Sequence, residues 1–353
     1  MNDPLALARA EIRALAAYEH AAWERGHVRL HANELPWRLA TDDSLAGLNR
    51  YPEPHSEVLA RLLARLYDVP PAQVLPCRGS DEAIDLLMRA FCAAGRDAII
   101  VCPPTFGMYA VAARIQGAGV VPVPLLRDRG FALDAGTIAD RCARGDVKLV
   151  FLCSPNNPTG NALGDGDVSR VVSAAAGRAI VVIDEAYLEF AALGSRSALI
   201  AQYPHVVVLR TLSKALGLAG ARIGALIAAP CIVDLLRKVL PPYAIAQPCI
   251  EAAQRALAPG QRRIALERIA SIVRERSRLA AALAALPCVT HVWPSVTNFL
   301  LADFTDPGES LARLRRARLL VRDFSGRTGL ERALRITVGS PAQNDLLIRS
   351  LAC

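Results

Sequence analysis

Residues 148–160 read KLVFLCSPNNPTG, and this stretch decides the predicted fold. Apart from Lys148, its first half is apolar on both faces, which is typical of a strand buried in a mainly parallel sheet. The second half is a polar turn punctuated by proline and glycine. Because ligands of open α/β sheets bind beyond the carboxyl ends of the strands, this turn predicts one wall of a binding site.

The same pattern extends in both directions, from about residue 75 to residue 230. Short apolar runs alternate there with helical stretches such as 81–94 and 168–176; the runs lie at 98–102, 120–124, 179–184, 206–210 and 223–228. This alternation predicts a sheet between two layers of helices.

The chain changes character after Pro241-Pro242. A long helical stretch is predicted at about 251–285, with an interruption near Pro259-Gly260. Short strands are predicted after it at 299–304, 319–321 and 334–338, and a helix around 311–318 lies between the first and second of these strands. We therefore expect an N-terminal arm (1–28), a large domain (29–240) and a smaller α+β domain (241–353).

The composition narrows the class of protein. The chain has 353 residues, 53% hydrophobic and 21% charged, which is typical of a globular protein and leaves no apolar run of the roughly 20 residues that a membrane span needs. Residues 5–17 are predicted to form an amphipathic helix rather than a secretory signal. Nine scattered cysteines without a C-x-x-C pair favour a reducing cytoplasm, and no histidine spacing indicates a metal site.

A formal charge of +8 raises nucleic-acid binding as an alternative. The densest basic patch has helical spacing with interleaved leucines and includes no aromatic residue; it comprises Arg313, Arg315, Arg316 and Arg318. A solvated helix face explains it better, so we expect neither a nucleic-acid nor a membrane partner. A positive field would also attract a phosphorylated or dicarboxylate substrate.

Three neighbouring strands are predicted to deliver polar residues to one crevice. The first ends at SPNNPTG with Asn157, the second at Asp184-Glu185-Ala186-Tyr187, and the third at Thr211-Leu212-Ser213-Lys214. Lys214 is one of three lysines in the chain, and its small or apolar neighbours favour a partly desolvated, nucleophilic amine.

These motifs resemble those of the fold-type I aminotransferases, which depend on pyridoxal 5'-phosphate. The order and spacing of SPNNPTG (154–160), DEAY (184–187) and SKALGLAGARIG (213–224) carry the resemblance. It narrows to the histidinol-phosphate aminotransferase family through RYP (50–52), RGSDE (78–82), CPPTFGMY (102–109), TNF (297–299) and LRITVG (334–339). The resemblance implies a seven-stranded, mainly parallel sheet in the large domain.

The resemblance also assigns roles around the cofactor. Lys214 is implied to hold it as a Schiff base and to move the proton, and Asp184 to meet its pyridine nitrogen. Asn157 and Tyr187 are implied to donate to the ring oxygen, while Phe106 stacks on the ring where tyrosine is common in relatives.

Several residues are implied to hold the cofactor phosphate. Gly79, Ser80 and Asp81 lead into an apolar helix, whose N-terminal N–H groups can bind an anion. Ser213 and Arg222 resemble the remaining phosphate ligands. Tyr51 is implied to reach the phosphate of a neighbouring subunit, which predicts a homodimer with shared active sites.

The substrates implied are histidinol phosphate and the glutamate/2-oxoglutarate pair. Arg335 is implied to bind the glutamate carboxylate in one half-reaction and the substrate phosphate in the other. Arg322 and Tyr18 share that phosphate, and Asn298 forms a wall of the same pocket.

Two alternatives remain open at this point, and a third, from an unrelated class, is discounted. A threonine-phosphate decarboxylase or an aromatic aminotransferase would have the same fold. A nicotinamide-dependent oxidoreductase would share the α/β alternation, but its G-x-G-x-x-G turn does not follow the early strands.

Overall fold

A computed structural model describes residues 3–24 and 26–352, and a seven-stranded sheet forms the centre of the fold. Its strands are β1 (Val74–Cys77), β2 (Ala98–Val101), β3 (Gly119–Pro122), β4 (Val147–Cys153), β5 (Ile180–Asp184), β6 (Val206–Thr211) and β7 (Gly224–Ile227). The order is β1-β7-β6-β5-β4-β2-β3, and β7 runs antiparallel to both of its neighbours while the other pairs are parallel. The carboxyl ends of β4, β5 and β6 therefore meet at one edge.

Helices cover both faces of this sheet. In chain order they are α1 (Ala10–Ala14), α2 (Glu57–Tyr67), α3 (Gly79–Phe91), α4 (Met108–Gln116), α5 (Ala135–Cys142), α6 (Asp165–Ala175) and α7 (Pro230–Arg237). The central strand β5 sends Val181 and Ile183 to the core shared with α2, α5 and α6. It sends Ile180 and Val182 to the core shared with α3, α4 and α7. Burial on both sides explains why the strands are continuous apolar runs.

A smaller antiparallel sheet follows. The remaining elements are α8 (Gln247–Ala256), α9 (Pro259–Ala284), β8 (Val289–Val292), β9 (Phe299–Phe304), α10 (Pro307–Arg316), β10 (Arg322–Asp323), β11 (Ala333–Thr337) and α11 (Pro341–Ala352). The strand order is β10-β11-β9-β8. Leu279 and Leu283 of α9 pack with Leu300, Leu314 and Ile336 in a separate core.

The predicted sheet and the break in the long helical stretch are confirmed, since α8 ends at Ala256 and α9 begins at Pro259. Strands β1 and β8 were not predicted. The division of the chain at residues 28 and 240 stays a prediction. Ile250 and Ala253 of α8, which we assigned to the smaller domain, are buried in the core of the large sheet.

The prediction of one amphipathic helix over residues 5–17 is wrong. The segment forms a short 3-10 turn at Pro4–Leu7 and then the five-residue α1. Arg9 adopts φ −55° and ψ 136°, which is outside the helical region, and its backbone N–H donates to the Ala90 carbonyl at 3.0 Å. This contact with α3 replaces the intrahelical bond that a continuous helix would make.

Across residues 3–24 and 26–352, no helix has the length and apolar character needed to cross a bilayer.

Candidate active site

One cleft at the carboxyl edge of the large sheet collects ten of the predicted site residues. They are Gly79, Ser80, Asp81, Phe106, Asn157, Asp184, Tyr187, Ser213, Lys214 and Arg222. Three strand ends and the N-terminus of α3 supply most of them, as the strand order requires. Cys153, Ala186, Thr211 and Ala219 complete the lining.

Asp184 is a buried carboxylate at the floor of the cleft, with 3% of its surface exposed. Its Oδ2 accepts a hydrogen bond from Tyr109 Oη at 2.7 Å, and its Oδ1 accepts one from the Ala186 N–H at 3.1 Å. Burial raises the pKa of Asp184 to about 6, although both donors oppose the rise. A cationic partner in the cleft would therefore be strongly favoured.

Lys214 follows β6 and lines the cleft, where its side chain remains partly open to solvent. Burial lowers the pKa of Lys214, and the positive charge of Arg335 lowers it further. Its Nζ lies 5.8 Å from the centre of the Tyr187 ring. A larger fraction of this amine is therefore neutral than for a lysine surrounded by water on all sides, as a nucleophile or proton acceptor requires.

Asn157 connects the cleft to Arg335 of β11. Its Nδ2 donates to Tyr187 Oη at 3.3 Å, and its Oδ1 accepts a hydrogen bond from Arg335 Nη1. The Arg335 guanidinium also lies 5.2 Å from the Phe299 ring and 5.5 Å from the Phe324 ring, and Arg335 Nε is buried without a hydrogen-bond partner. This half-buried cation retains capacity for an incoming anion.

The N-terminus of α3 also lines the cleft. Gly79 has φ +74°, and a Cβ at this position would lie 2.8 Å from Arg222 Nη2. Arg222 pairs with Asp81 Oδ2 at 3.1 Å, and Thr211 Oγ1 donates to Ser213 Oγ at 2.9 Å. Helix N–H groups, hydroxyls and a guanidinium make this end suited to a phosphate.

Tyr109 was not among the predicted site residues, although it belongs to the motif CPPTFGMY (102–109). Its ring is completely buried, stacks on Phe151 at a centroid distance of 4.6 Å and meets the Phe106 ring edge-on at 5.5 Å. Tyr109 lies three residues after Phe106, at the start of α4. Phe106 precedes the helix, so helical spacing does not relate the two residues, and nothing local in the sequence indicates that the Tyr109 hydroxyl meets Asp184.

Asn298 lies beside a second, wider cavity of about 470 Å³ that also reaches Lys214. Phe190, Ile272 and Ser340 are among its other lining residues. Arg335 does not line this cavity. It is connected to the first cleft by the hydrogen bond that it donates to Asn157.

The structure does not bring Tyr18 or Tyr51 to the cleft of their own chain. Tyr18 is 71% exposed and Tyr51 is 52% exposed. Tyr51 stacks instead on Tyr243, with ring centroids 4.7 Å apart. Arg322 lies in β10, directly opposite Arg335 of β11, and is exposed.

The cleft fits pyridoxal phosphate in the chemistry of its donors. The buried Asp184 carboxylate would be satisfied by a protonated pyridine nitrogen, and the N-terminus of α3 could bind the phosphate. The Phe106 ring, the Tyr187 and Asn157 donors and the Lys214 amine line the same cleft.

Comparison with known proteins agrees with this geometry. The sequence pattern of the family "Aminotransferase class I and II" matches residues 29–351. A histidinol-phosphate aminotransferase of Stenotrophomonas maltophilia is 45% identical, and the alignment covers 100% of this chain and 97% of that protein.

Solved structures show the same fold. A histidinol-phosphate aminotransferase of Sinorhizobium meliloti, in complex with pyridoxal-5'-phosphate, superposes with a TM-score of 0.76 at 26% identity, covering 86% of this chain and 82% of that one. An L-threonine-O-3-phosphate decarboxylase of Porphyromonas gingivalis superposes with a TM-score of 0.72 at 28% identity, covering 86% and 90%.

Proposed function

Because the chain belongs to the class I and II aminotransferases, which depend on pyridoxal phosphate, we propose that it exchanges an amino group between histidinol phosphate and 2-oxoglutarate. The products are imidazole-acetol phosphate and glutamate, and the reaction is reversible. The observation that carries the proposal is the single cleft that combines Lys214, Asp184 and Asn157. The 45% identity to a histidinol-phosphate aminotransferase over the whole chain supports the choice of substrate.

Pyridoxal phosphate, when bound, supplies an electron-accepting ring that delocalises the charge left when the substrate Cα loses its proton. Asp184 would face the pyridine nitrogen, while Asn157 and Tyr187 would hold the ring oxygen. The N-terminus of α3, Ser213 and Arg222 would hold the phosphate, and Phe106 would pack on the ring.

Lys214 has two tasks in this scheme. It anchors the cofactor, and once displaced by a substrate amine its neutral Nζ takes the proton from Cα. The same Nζ later returns a proton, so it acts first as base and then as acid. The lowered pKa of Lys214 favours the neutral form that starts this sequence.

Arg335 and Arg322 would orient the substrate anion. Arg335 already donates to Asn157, so a carboxylate that binds its remaining N–H groups would be fixed relative to the cofactor site. The phosphorylated substrate would use the second guanidinium, Arg322, as well.

We also propose a homodimer in which Tyr51 of each copy reaches the cofactor phosphate of the other. Support comes from exposed apolar side chains in the predicted N-terminal arm and in the irregular residues that follow it as far as Tyr51, which together are called the arm from here on. They are Leu15, Tyr18, Val28, Leu30, Leu35, Trp37, Leu39, Leu45, Leu48 and Tyr51. Exposed apolar side chains in this number are typical of an interface. Light scattering should give twice the mass of the chain.

We propose the cytoplasm as the cellular compartment, because the eight cysteines in the described part of the chain are unpaired and five of them are buried.

The substrate assignment is tested by separating the two half-reactions. Glutamate is added to the holoenzyme until its absorption changes to that of the aminated cofactor, and excess glutamate is removed. Imidazole-acetol phosphate should restore the original spectrum, whereas 4-hydroxyphenylpyruvate should act much more slowly. Failure of imidazole-acetol phosphate to restore it would contradict the proposed substrate.

A decarboxylase is the second candidate, because the Porphyromonas gingivalis structure superposes over 86% of the chain. Threonine phosphate would then release carbon dioxide without glutamate. Measuring carbon dioxide from threonine phosphate separates the two functions, and we expect none.

A further inference from the structure

We propose that Glu34 is a positioning residue that presents Tyr51 to the cofactor site of a second copy of this chain. This inference rests on the shared active site proposed above. The side chain of Glu34 is only 3% exposed, although it belongs to an arm whose neighbouring side chains are largely open to solvent. A nearly buried carboxylate in such a segment needs partners, and it has three.

All three partners converge on the backbone around Tyr51. Glu34 Oε1 accepts a hydrogen bond from the Tyr51 N–H at 2.7 Å and pairs with Arg29 Nη2 at 2.9 Å. Glu34 Oε2 accepts one from Arg50 Nη1 at 2.9 Å. Arg29 also donates to the Tyr51 carbonyl from Nη1 at 3.2 Å and from Nη2 at 3.3 Å, and Arg50 donates to the Arg29 carbonyl at 3.3 Å.

This arrangement holds both polar groups of the Tyr51 backbone without using its side chain. The Tyr51 ring is half-exposed and stacks on Tyr243, with the rings inclined by 27°. The phenol is therefore held at the surface in one orientation before any partner arrives. Such preorganisation reduces the entropy lost when the hydroxyl binds a phosphate.

A carboxylate is required for this task and an amide is not equivalent. Both oxygens of Glu34 accept hydrogen bonds, and two guanidinium groups flank them. Glutamine has one acceptor oxygen, so its NH2 group would face a guanidinium at one of the two sides. The pKa of Glu34 agrees with an ionised group: burial raises it, but the Tyr51 and Arg50 hydrogen bonds and the two arginine charges lower it overall.

The test uses hybrid dimers of the holoenzyme, in which one protomer carries Lys214→Ala and a distinguishing tag. Borohydride reduction followed by intact-mass measurement counts only the cofactor that the remaining Lys214 holds. The dissociation constant of pyridoxal phosphate is measured with Glu34→Gln on either protomer. We expect it to rise roughly three- to tenfold when Glu34→Gln is on the Lys214→Ala protomer, as for the loss of one well-placed hydrogen bond. We expect no change when Glu34→Gln is on the protomer that retains Lys214.

Tyr51→Phe hybrids separate this inference from the shared site. If Tyr51→Phe weakens the cofactor across the dimer and Glu34→Gln does not, the positioning role is wrong and the shared site stands. If neither acts across the dimer, the shared site fails and the positioning role fails with it. Glu34→Gln and Tyr51→Phe combined on one protomer should weaken binding no more than Tyr51→Phe alone, because both remove the same contact.

Glu251→Gln is the matched control for a general loosening of the arm. Glu251 is also buried, and it accepts hydrogen bonds from the backbone N–H groups of Leu45 and Ala46, but it does not contact Tyr51. It should leave the cofactor dissociation constant unchanged. An equal effect of Glu251→Gln and Glu34→Gln would show that arm order, rather than the presentation of Tyr51, is responsible, and would overturn the inference.

Discussion

Arg322 of β10 and Arg335 of β11 are direct partners across an antiparallel ladder. Partners of this kind point to the same face of the sheet, so two guanidinium groups are held side by side. Burial lowers the pKa of Arg335, and the charge of Arg322 lowers it further. The two like charges repel each other, and a bound phosphate or carboxylate would offset that repulsion.

The pairing of Arg322 with Arg335 predicts that substitutions of the two arginines affect the two substrates differently. Arg335→Gln should raise KM for glutamate and for the phosphorylated substrate by roughly 10- to 100-fold, because a charge-assisted bidentate contact is lost from both. Arg322→Gln should raise KM for the phosphorylated substrate and leave KM for glutamate within about twofold. Steady-state kinetics with each substrate varied in turn provides the measurement. An equal rise in KM for glutamate in Arg322→Gln would contradict the separate roles of the two arginines.

The large sheet was predictable because burial on both faces leaves an unbroken apolar run, as in β4 and β5. Strand β1 escaped prediction, since it has four residues and contains Pro76, which normally argues against a central strand. It pairs with β7 alone, so the missing N–H of proline is tolerated at the edge of the sheet.

The cleft was predictable for a related reason, because the carboxyl ends of parallel strands converge and carry their polar residues together. The arm was not. Tyr18 and Tyr51 lie in a segment without regular periodicity, so nothing local to them indicates which cleft they face. Tyr109 was missed because a tyrosine in an apolar helix usually signals packing, and only the position of Asp184 reveals its hydrogen bond.

Cofactor binding should depend on pH through Asp184. Its pKa is about 6 in the cofactor-free cleft, compared with 3.8 for an ordinary aspartate. A pyridinium partner requires the ionised carboxylate, so the dissociation constant of pyridoxal phosphate should rise by up to about tenfold for each pH unit below 6. The stability of the cofactor-free protein depends on pH in the opposite direction. The contribution of Asp184 to the free energy of unfolding is fully present below about pH 4 and is lost as the pH rises through about 6.

Equilibrium titration between pH 4.5 and 8 measures this dependence. Asp184→Asn should bind the cofactor more weakly at pH 8 and should lose the part of the pH dependence that the carboxylate causes. The dependence that remains in Asp184→Asn reports the phosphate of the ligand. Identical profiles for the two proteins would show that Asp184 does not titrate on binding.

Tyr109→Phe should move the pH dependence of cofactor binding to higher pH. The substitution keeps the stacking on Phe151 and removes only the hydroxyl that donates to Asp184 Oδ2. Without this donor the ionised carboxylate is less stable, so the pKa of Asp184 should rise above about 6, by roughly one pH unit. The ¹⁵N chemical shift of labelled cofactor, which reports protonation of the pyridine nitrogen, should show the same shift. A purely structural role for Tyr109 would leave both readouts unchanged.

Lys214→Ala should reduce the rate by at least about 10²–10⁴-fold, because both the covalent anchor and the positioned proton carrier are lost. Borohydride reduction should no longer attach the cofactor to the protein. Lys238→Ala is the control, since Lys238 does not line the cleft and its Nζ donates to the Arg13 carbonyl at 3.3 Å. Its rate and its labelling should equal those of the unmodified chain. Covalent labelling that persists in Lys214→Ala would contradict the assignment.

Gly79→Ala tests the anion-binding end of the cleft. The residue has φ +74°, a conformation that costs a residue with a Cβ roughly 1–2 kcal/mol, and the new methyl group would lie 2.8 Å from Arg222 Nη2. The free energy of unfolding should fall by about that amount, because Arg222 is half-exposed and can turn aside. Turning aside removes its guanidinium from the phosphate site, so cofactor affinity should fall roughly tenfold while pyridoxal without a phosphate is bound equally well. Gly107→Ala, at the N-cap of α4, with open space around it and no positive φ, should change neither quantity. An equal loss for pyridoxal and pyridoxal phosphate in Gly79→Ala would place the phosphate elsewhere.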